Sequence, residues 1–137
     1  MPAARAQQVA ALPWRRRNGS IEFLLVTSRE TRRWVIPKGW PIVNLVASNA
    51  AKREAYEEAG VDGRVRRKPI GRYTYSKRAA DGSRQTCVVT VFALGVRQQF
   101  RDWPERRERT RSWFTAKEAA LKVQERELRA IIRGFTG

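Results

Sequence analysis

Apolar and polar positions follow two periods along this chain, and the switches between them mark its elements. Ile21–Thr27 (IEFLLVT) is a nearly unbroken apolar run, the mark of a strand covered on both faces. Gln85–Val96 (QTCVVTVFALGV) is longer and equally apolar; it reads as the strongest strand and as central to a sheet. Weaker strand signals lie at residues 7–13 (QQVAALP, stopped by Pro13), at Trp34–Ile36, at Trp113–Phe114, and over Arg64–Lys77, which holds one or two strands with Ile70, Tyr73 and Tyr75 as apolar members. Asn18-Gly19 is a hairpin signal, and Asp62-Gly63 and Ala79–Ser83 read as further turns. Ser28–Arg33 and the arginine-rich Gln98–Arg111, with Trp103-Pro104 inside it, read as connections.

The helical period appears in three places. Ala47, Ala50, Ala51, Ala55 and Ala59 form a small-residue face over about 47–59, with Asn44 or Ser48 as candidate N-caps and Gly60 where a C-terminal glycine belongs. So small a face lets a helix approach a sheet closely. Thr115 with Glu118 three residues on has capping-box spacing and predicts a helix over Ala116–Leu121. A last helix is predicted over about 124–133, with Leu128, Ile131 and Ile132 turned inward. Strands, helix, long strands and helices in that order predict an α/β sandwich, a mixed sheet flanked by helices. No repeat, linker or second hydrophobic pattern interrupts it, so residues 1–137 read as one domain.

Charge changes the picture. The chain has 29 Lys+Arg against 13 Asp+Glu, a net charge of +16. Anionic partners are favoured: a nucleotide, an inositol polyphosphate or nucleic acid. Histidine is absent, which excludes Ser-His-Asp and Cys-His chemistry and the usual zinc sites. Cys87 is the single cysteine; in an apolar run it reads as a buried thiol. No apolar run is long enough to span a bilayer, and Met1–Trp14 lacks the core and cleavage site of a signal peptide, so the expectation is a cytoplasmic protein, a monomer or weak homodimer, with no membrane partner.

Against this basic background Glu54, Glu57 and Glu58 fall within five positions. At about 100° per residue, spacings of three and four place them on one helical face. Three like charges repel, and a hard divalent cation with oxygen ligands is the natural compensation. Arg53, four residues before Glu57, is placed to lean on that carboxylate. A solvated helix face is the plain alternative.

Gly39, Arg53, Glu54, Ala55, Glu57, Glu58, Gly60 and Val61 stand at the spacing of the Nudix box, and the chain resembles the Nudix hydrolase family. One position departs: six residues after the first glycine the family has a glutamate, peripheral to its main metal cluster, and here that residue is Leu45. The flanking LLVTSRETRRWVIPKGW and RTRSWFTAKEAALKV are similar to the diphosphoinositol polyphosphate and diadenosine polyphosphate hydrolase branch. The resemblance implies a Nudix α/β/α sandwich with Mg²⁺ or Mn²⁺ held by Glu54, Glu57, Glu58 and the carbonyl of Gly39. It implies attack of a metal-activated water on a phosphoanhydride phosphorus, with Glu57 or a carboxylate elsewhere taking the proton and Arg53 orienting Glu57.

Candidate phosphate ligands are Arg15, Arg17, Arg29, Arg32, Arg33 and Lys38. Arg15 and Arg17 alternate on one strand and share a face; Lys38 adjoins Gly39. Trp40, next to Gly39, is the tryptophan expected to touch a ligand. Arg64, Arg66, Arg67, Arg106, Arg107 and Arg109 read as surface or as a diffuse steering field. The substrate expected is a highly phosphorylated small molecule. Two alternatives are a nucleoside-triphosphate or RNA 5′-end pyrophosphohydrolase, and a degenerate scaffold that binds nucleic acid. The charge supports the last, but a binder of anions has no use for three clustered carboxylates.

Overall fold

Alternation along the strands sends side chains to two faces of one sheet, and helices cover both. The computed structural model describes residues 5–137. Its elements are β1 (Ala6–Arg17), β2 (Ser20–Thr27), β3 (Trp34–Val35), β4 (Lys38–Gly39), α1 (Ala47–Ala59), β5 (Val61–Val65), β6 (Gly71–Arg78), β7 (Arg84–Gln99), β8 (Arg111–Thr115), α2 (Ala116–Lys122) and α3 (Arg126–Gly134). The strand order is β3-β2-β1-β7-β5, with β4 beside β1, β6 beside β7 and β8 beside β2. β1 and β7 are parallel and the other pairs antiparallel. The sheet is therefore mixed, as predicted, and β7 is its centre, bonded to β1, β5 and β6.

On one face Val9, Ala11, Leu24, Val26, Phe92 and Leu94 meet Ala50, Ala51, Ala55 and Ala59 of α1. The alanines bring the helix close, which holds its carboxylates at the sheet's edge. Ala47 is exposed and takes no part. On the other face Leu12, Phe23, Leu25, Val89 and Val91 pack with Leu128 and Ile132 of α3 and with Ala119 and Ala120 of α2. Each fully buried aliphatic side chain of this kind contributes about 1.5–3 kcal/mol. Ile131 is only half-buried, closing over Gly71. Among the described residues no helix is long and apolar enough to cross a membrane.

Three local expectations are corrected. Pro13 does not end β1, which runs to Arg17. The Ala11 N–H points toward Pro37 at 3.1 Å, so the nitrogen of Pro13, two residues on, faces the same side; there pairing with β4 has ended and the register with β2 begins only at Trp14. Asp62-Gly63 is no turn but a bulge within β5. A Cβ on Gly63 would overlap the carbonyl oxygen of Gly95 on β7, a close approach that glycine permits. Neither Asn44 nor Ser48 caps α1: the N-cap is Val46, with no side-chain bond, while Ser48 is buried inside the first turn. Gly60 (φ 66°) ends the helix in the left-handed conformation, and Thr115 and Glu118 form the reciprocal capping box of α2, both as predicted.

Candidate active site

A cleft of about 1000 Å³ opens at one end of the sheet, where α1, β4, the β6–β7 hairpin and the loop after β2 meet. Glu54, Glu57 and Glu58 line it from α1, and Gly39 from β4. The Gly39 backbone lies so close to Glu54 that a Cβ there would overlap its carboxyl group. The Lys38 N–H donates to Glu58 Oε1 at 3.2 Å. Strand β4 thus brings its backbone directly onto the acidic face of the helix.

The second wall is one the sequence did not announce. Residues 100–110 wrap the C-terminal end of α1, whose last carbonyls have no partner within the helix. The Glu105 N–H donates to Glu57 O at 3.0 Å, Trp103 Nε1–H to Glu58 O at 3.1 Å, and Arg111 Nη1–H to Ala59 O at 2.9 Å and Gly60 O at 3.2 Å. The Arg111 guanidinium stacks on the Trp103 ring at 3.8 Å, placing a cation at the negative end of the helix. This capping puts Glu105 into the cleft beside the three glutamates of α1, and Glu30 lines it from the loop after β2. Arg109, expected on the surface, is buried: its side chain is 8% exposed. Its Nη2 lies 2.9 Å from Glu105 Oε1 and 3.4 Å from Glu58 Oε2, and Nη1–H donates to Thr27 O at 3.1 Å. A capping loop built from contacts about fifty residues apart leaves no periodic trace in sequence, so Glu105 and Arg109 read there as ordinary charged residues.

Burial and crowding raise the carboxylates' affinity for positive charge. Glu54 is pushed up to about 8, first by desolvation and then by Glu58, Glu57 and Glu105, with a hydrogen bond to Glu58. Burial pushes Glu58 up to about 7, against the opposing charges of Arg109 and Lys38. Lys38 is lowered by its own burial, partly offset by Glu58. Among the described residues no three acidic or thiol side chains converge on one point. The closeness is pairwise, between Glu54 and Glu58. The donors are all oxygens, with no histidine in the chain and Cys87 buried elsewhere, and that set fits a hard divalent ion.

Of the predicted phosphate ligands, the cleft gathers Arg29, Arg33 and Lys38, together with Trp40, the tryptophan expected to touch a ligand. Lys38 lies over the Tyr75 ring at 5.0 Å, and Arg33 pairs with the buried Glu125 at 2.9 Å. The hairpin adds Lys77, Arg78 and Arg84, which the sequence did not single out; Lys77 sits over the exposed Trp40 ring at 5.1 Å. Arg15, Arg17 and Arg32 lie outside the cleft. Arg15 pairs with Glu22 at 2.8 Å and stacks on Trp113, Arg17 ends β1 opposite Ser20, and Arg32 (φ 57°) turns away to donate to Glu108 O at 3.1 Å. Arg53 is exposed, and no ion pair joins it to Glu57. An arginine N-terminal to its glutamate is the weaker orientation of such a pair, and an exposed pair gains little.

A NUDIX domain model matches residues 4–135. The chain is similar to Nudix hydrolase 12, mitochondrial, of Arabidopsis thaliana, with 39% identity over 102 residues, covering 72% of this chain and 50% of that protein. It is similar to diphosphoinositol polyphosphate phosphohydrolase 3-alpha of Mus musculus, with 30% identity over 125 residues, 90% of this chain and 72% of the relative. The chain spans about half the length of the first plant relatives it matches. Its fold is shared with the C. elegans Ap4A hydrolase at TM-score 0.65 and 20% identity, covering 95% of both chains. The family match runs through both helical layers and the whole of the acidic helix, and the chain belongs to the Nudix family.

Proposed function

We propose that this chain is a metal-dependent hydrolase of phosphoanhydride bonds in a highly phosphorylated small molecule, such as a diphosphoinositol polyphosphate or a dinucleoside polyphosphate. One observation carries the reading: a single cleft sets five carboxylates, Glu30, Glu54, Glu57, Glu58 and Glu105, against Arg29, Arg33, Lys38, Lys77, Arg78 and Arg84. The mouse relative, a diphosphoinositol polyphosphate phosphohydrolase, and the C. elegans neighbour, an Ap4A hydrolase, support the same substrate class. Glu54, Glu57, Glu58 and the backbone of Gly39 would hold Mg²⁺ or Mn²⁺. Bound there, the ion supplies Lewis acidity that lowers the pKa of water and neutralises phosphate charge. Glu57 of that set, or Glu105 beside it in the cleft, would accept the proton of the attacking water. Arg109 holds Glu105 and Glu58 in fixed relation. Lys38 and the two basic rims hold the phosphate chain by charge-assisted hydrogen bonds.

A phosphate-release panel of diphosphoinositols, dinucleoside polyphosphates and nucleoside triphosphates, run with Mg²⁺, tests the proposal. Highest kcat/KM is expected for substrates with more than three phosphates. Equal efficiency across the panel would replace this reading with a general nucleoside-triphosphate hydrolase, and no release from any member would leave a binding scaffold.

A further inference from the structure

A second basic groove lies at the other end of the sheet. It holds about 560 Å³ and is floored by Trp14 and Gly95, with Arg15, Arg16, Arg64, Arg66 and Arg97 around it. Along β1, Gln8 borders the cleft and Trp14 the groove. Those six residues set the two sites about 20 Å apart at 3.3 Å per residue. No carboxylate lines the groove. Arg15 has Glu22 as partner, but among the described residues no acidic side chain lies within 4 Å of the guanidinium of Arg16, Arg64, Arg66 or Arg97.

Three of these guanidiniums lie near aromatic rings. Arg66 lies over Phe135 at 5.5 Å and Trp14 at 5.9 Å, Arg16 over Trp14 at 5.8 Å, and Arg15 over Trp113 at 4.0 Å. A cation beside a ring is held by the ring's quadrupole, and a guanidinium's planar fork suits phosphate oxygens; Arg15 directs donors to Glu22 and Arg16 one to Thr136 O at 3.2 Å. The groove crosses β1, β7 and β5, which are consecutive in the sheet, so its cations spread over about 10 Å at strand spacing. That span exceeds one phosphate group and suits a row of them. Arg16, Arg66 and the edge of Phe135 gather around the Trp14 ring at 5.8, 5.9 and 5.2 Å, so the groove's surface is dominated by its cations.

We propose that this groove binds the backbone of a single nucleic-acid strand, without sequence preference, at a site separate from the hydrolytic cleft and independent of which substrate the cleft takes. A row of five arginines, of which only Arg15 has an acidic side-chain partner among the described residues, on a chain of net charge +16, is the electrostatic footprint of such a partner. Binding then rests on phosphate neutralisation and falls steeply with salt, with a slope of about −0.7 per phosphate on a log–log plot.

The test uses fluorescence anisotropy of labelled 12-mer oligo-U and oligo-dT with the full chain. The reversal R64E/R66E/R97E, and the milder R64Q/R66Q/R97Q, are compared with R101E/R107E/R126E, which changes net charge equally on exposed residues outside the groove. Thermal melts check that each variant is folded. Expected are comparable binding of both strands by the wild type, at least tenfold weaker binding and a shallower salt slope in the groove reversal, a smaller loss in the Gln variant, and little change in the control. Phosphate release from small substrates stays at wild-type level in all. Equal losses in groove and control variants would overturn the proposal in favour of a diffuse field. Inorganic tripolyphosphate displacing the strand at equal phosphate concentration would overturn it in favour of a small-anion site. Unchanged binding in the groove variants would remove the groove altogether.

Discussion

Gly39 lies against Glu54 with no space for a methyl group between them: a Cβ added to the glycine would overlap the carboxyl carbon and both oxygens. Gly39→Ala must therefore displace the first carboxylate of the acidic helix. A displaced metal ligand or its support typically costs 10–100-fold in affinity or activity. Mn²⁺ affinity by calorimetry and kcat are both expected to fall in that range, with the melting temperature within a few degrees of wild type. An alanine variant with wild-type metal binding would separate Glu54 from the metal site.

Arg109 is the only cation within ion-pair range of both Glu58 and Glu105 among the described residues. Removing one partner of a buried ion pair typically costs about 3–5 kcal/mol, because the remaining charge is left uncompensated. Arg109→Leu is expected to destabilise the chain by about that much in urea unfolding, with millimolar Mg²⁺ restoring part of it. A loss below about 1 kcal/mol, the range of an exposed pair, would mean that Arg109 is solvated in solution.

The raised carboxyls make stability depend on pH and on metal together. With Glu54 at about 8 and Glu58 at about 7 when folded, against an ordinary value of 4.5, the folded chain holds protons that the unfolded chain has released. Without divalent ions, this contribution is full below pH 4.5 and is lost as pH rises through 7 to 8. A divalent ion competes with those protons. The thermal shift given by Mg²⁺ is accordingly expected to grow between pH 5.5 and 8.5. A shift independent of pH, or none at any pH, contradicts the assignment of these two residues as ligands.

Glu57 and Glu105 compete for the role of base, and their variants distinguish them. General-base removal typically costs 10²–10⁴-fold. Glu57→Gln is expected to lower kcat by that factor while keeping the fold. Glu105→Gln keeps its backbone bond to Glu57 O, so any comparable loss in that variant reports on its carboxylate. Wild-type turnover in both would move the chemistry off this cleft.

Substrate affinity is expected to follow the cleft's rims. Lys77→Ala and Arg84→Ala remove cations on the hairpin side, each able to make a charge-assisted bond of about 1.5–3 kcal/mol. They should raise KM by roughly tenfold or more for long phosphate chains and less for short ones, with KM rising further with salt. Arg15→Ala and Arg17→Ala should leave KM nearly unchanged, because neither residue lines the cleft. The reverse ranking would place the substrate at the other end of the sheet.

The acidic helix was legible from sequence because its information is local. Helical periodicity fixed α1 over Ala47–Ala59, the glycine at its end needed only a left-handed φ, and three glutamates at helical spacing had to share a face. The long apolar runs of β2 and β7 and the capping box of α2 were equally local, and together with the element order they determined a mixed sheet between helices. What the sequence could not determine was which distant residues complete the site. Pro13 and Asp62-Gly63 carry strong local signals for breaks, but pairing with neighbouring strands overrides them. Arg15 and Arg109 are the same residue type in the same basic background, yet the fold buries Arg109 between two carboxylates and sends Arg15 to a different groove. Their roles depend on which strand end and which helix end meet in space, and only the packed sheet and the loop closed over the end of α1 decide that.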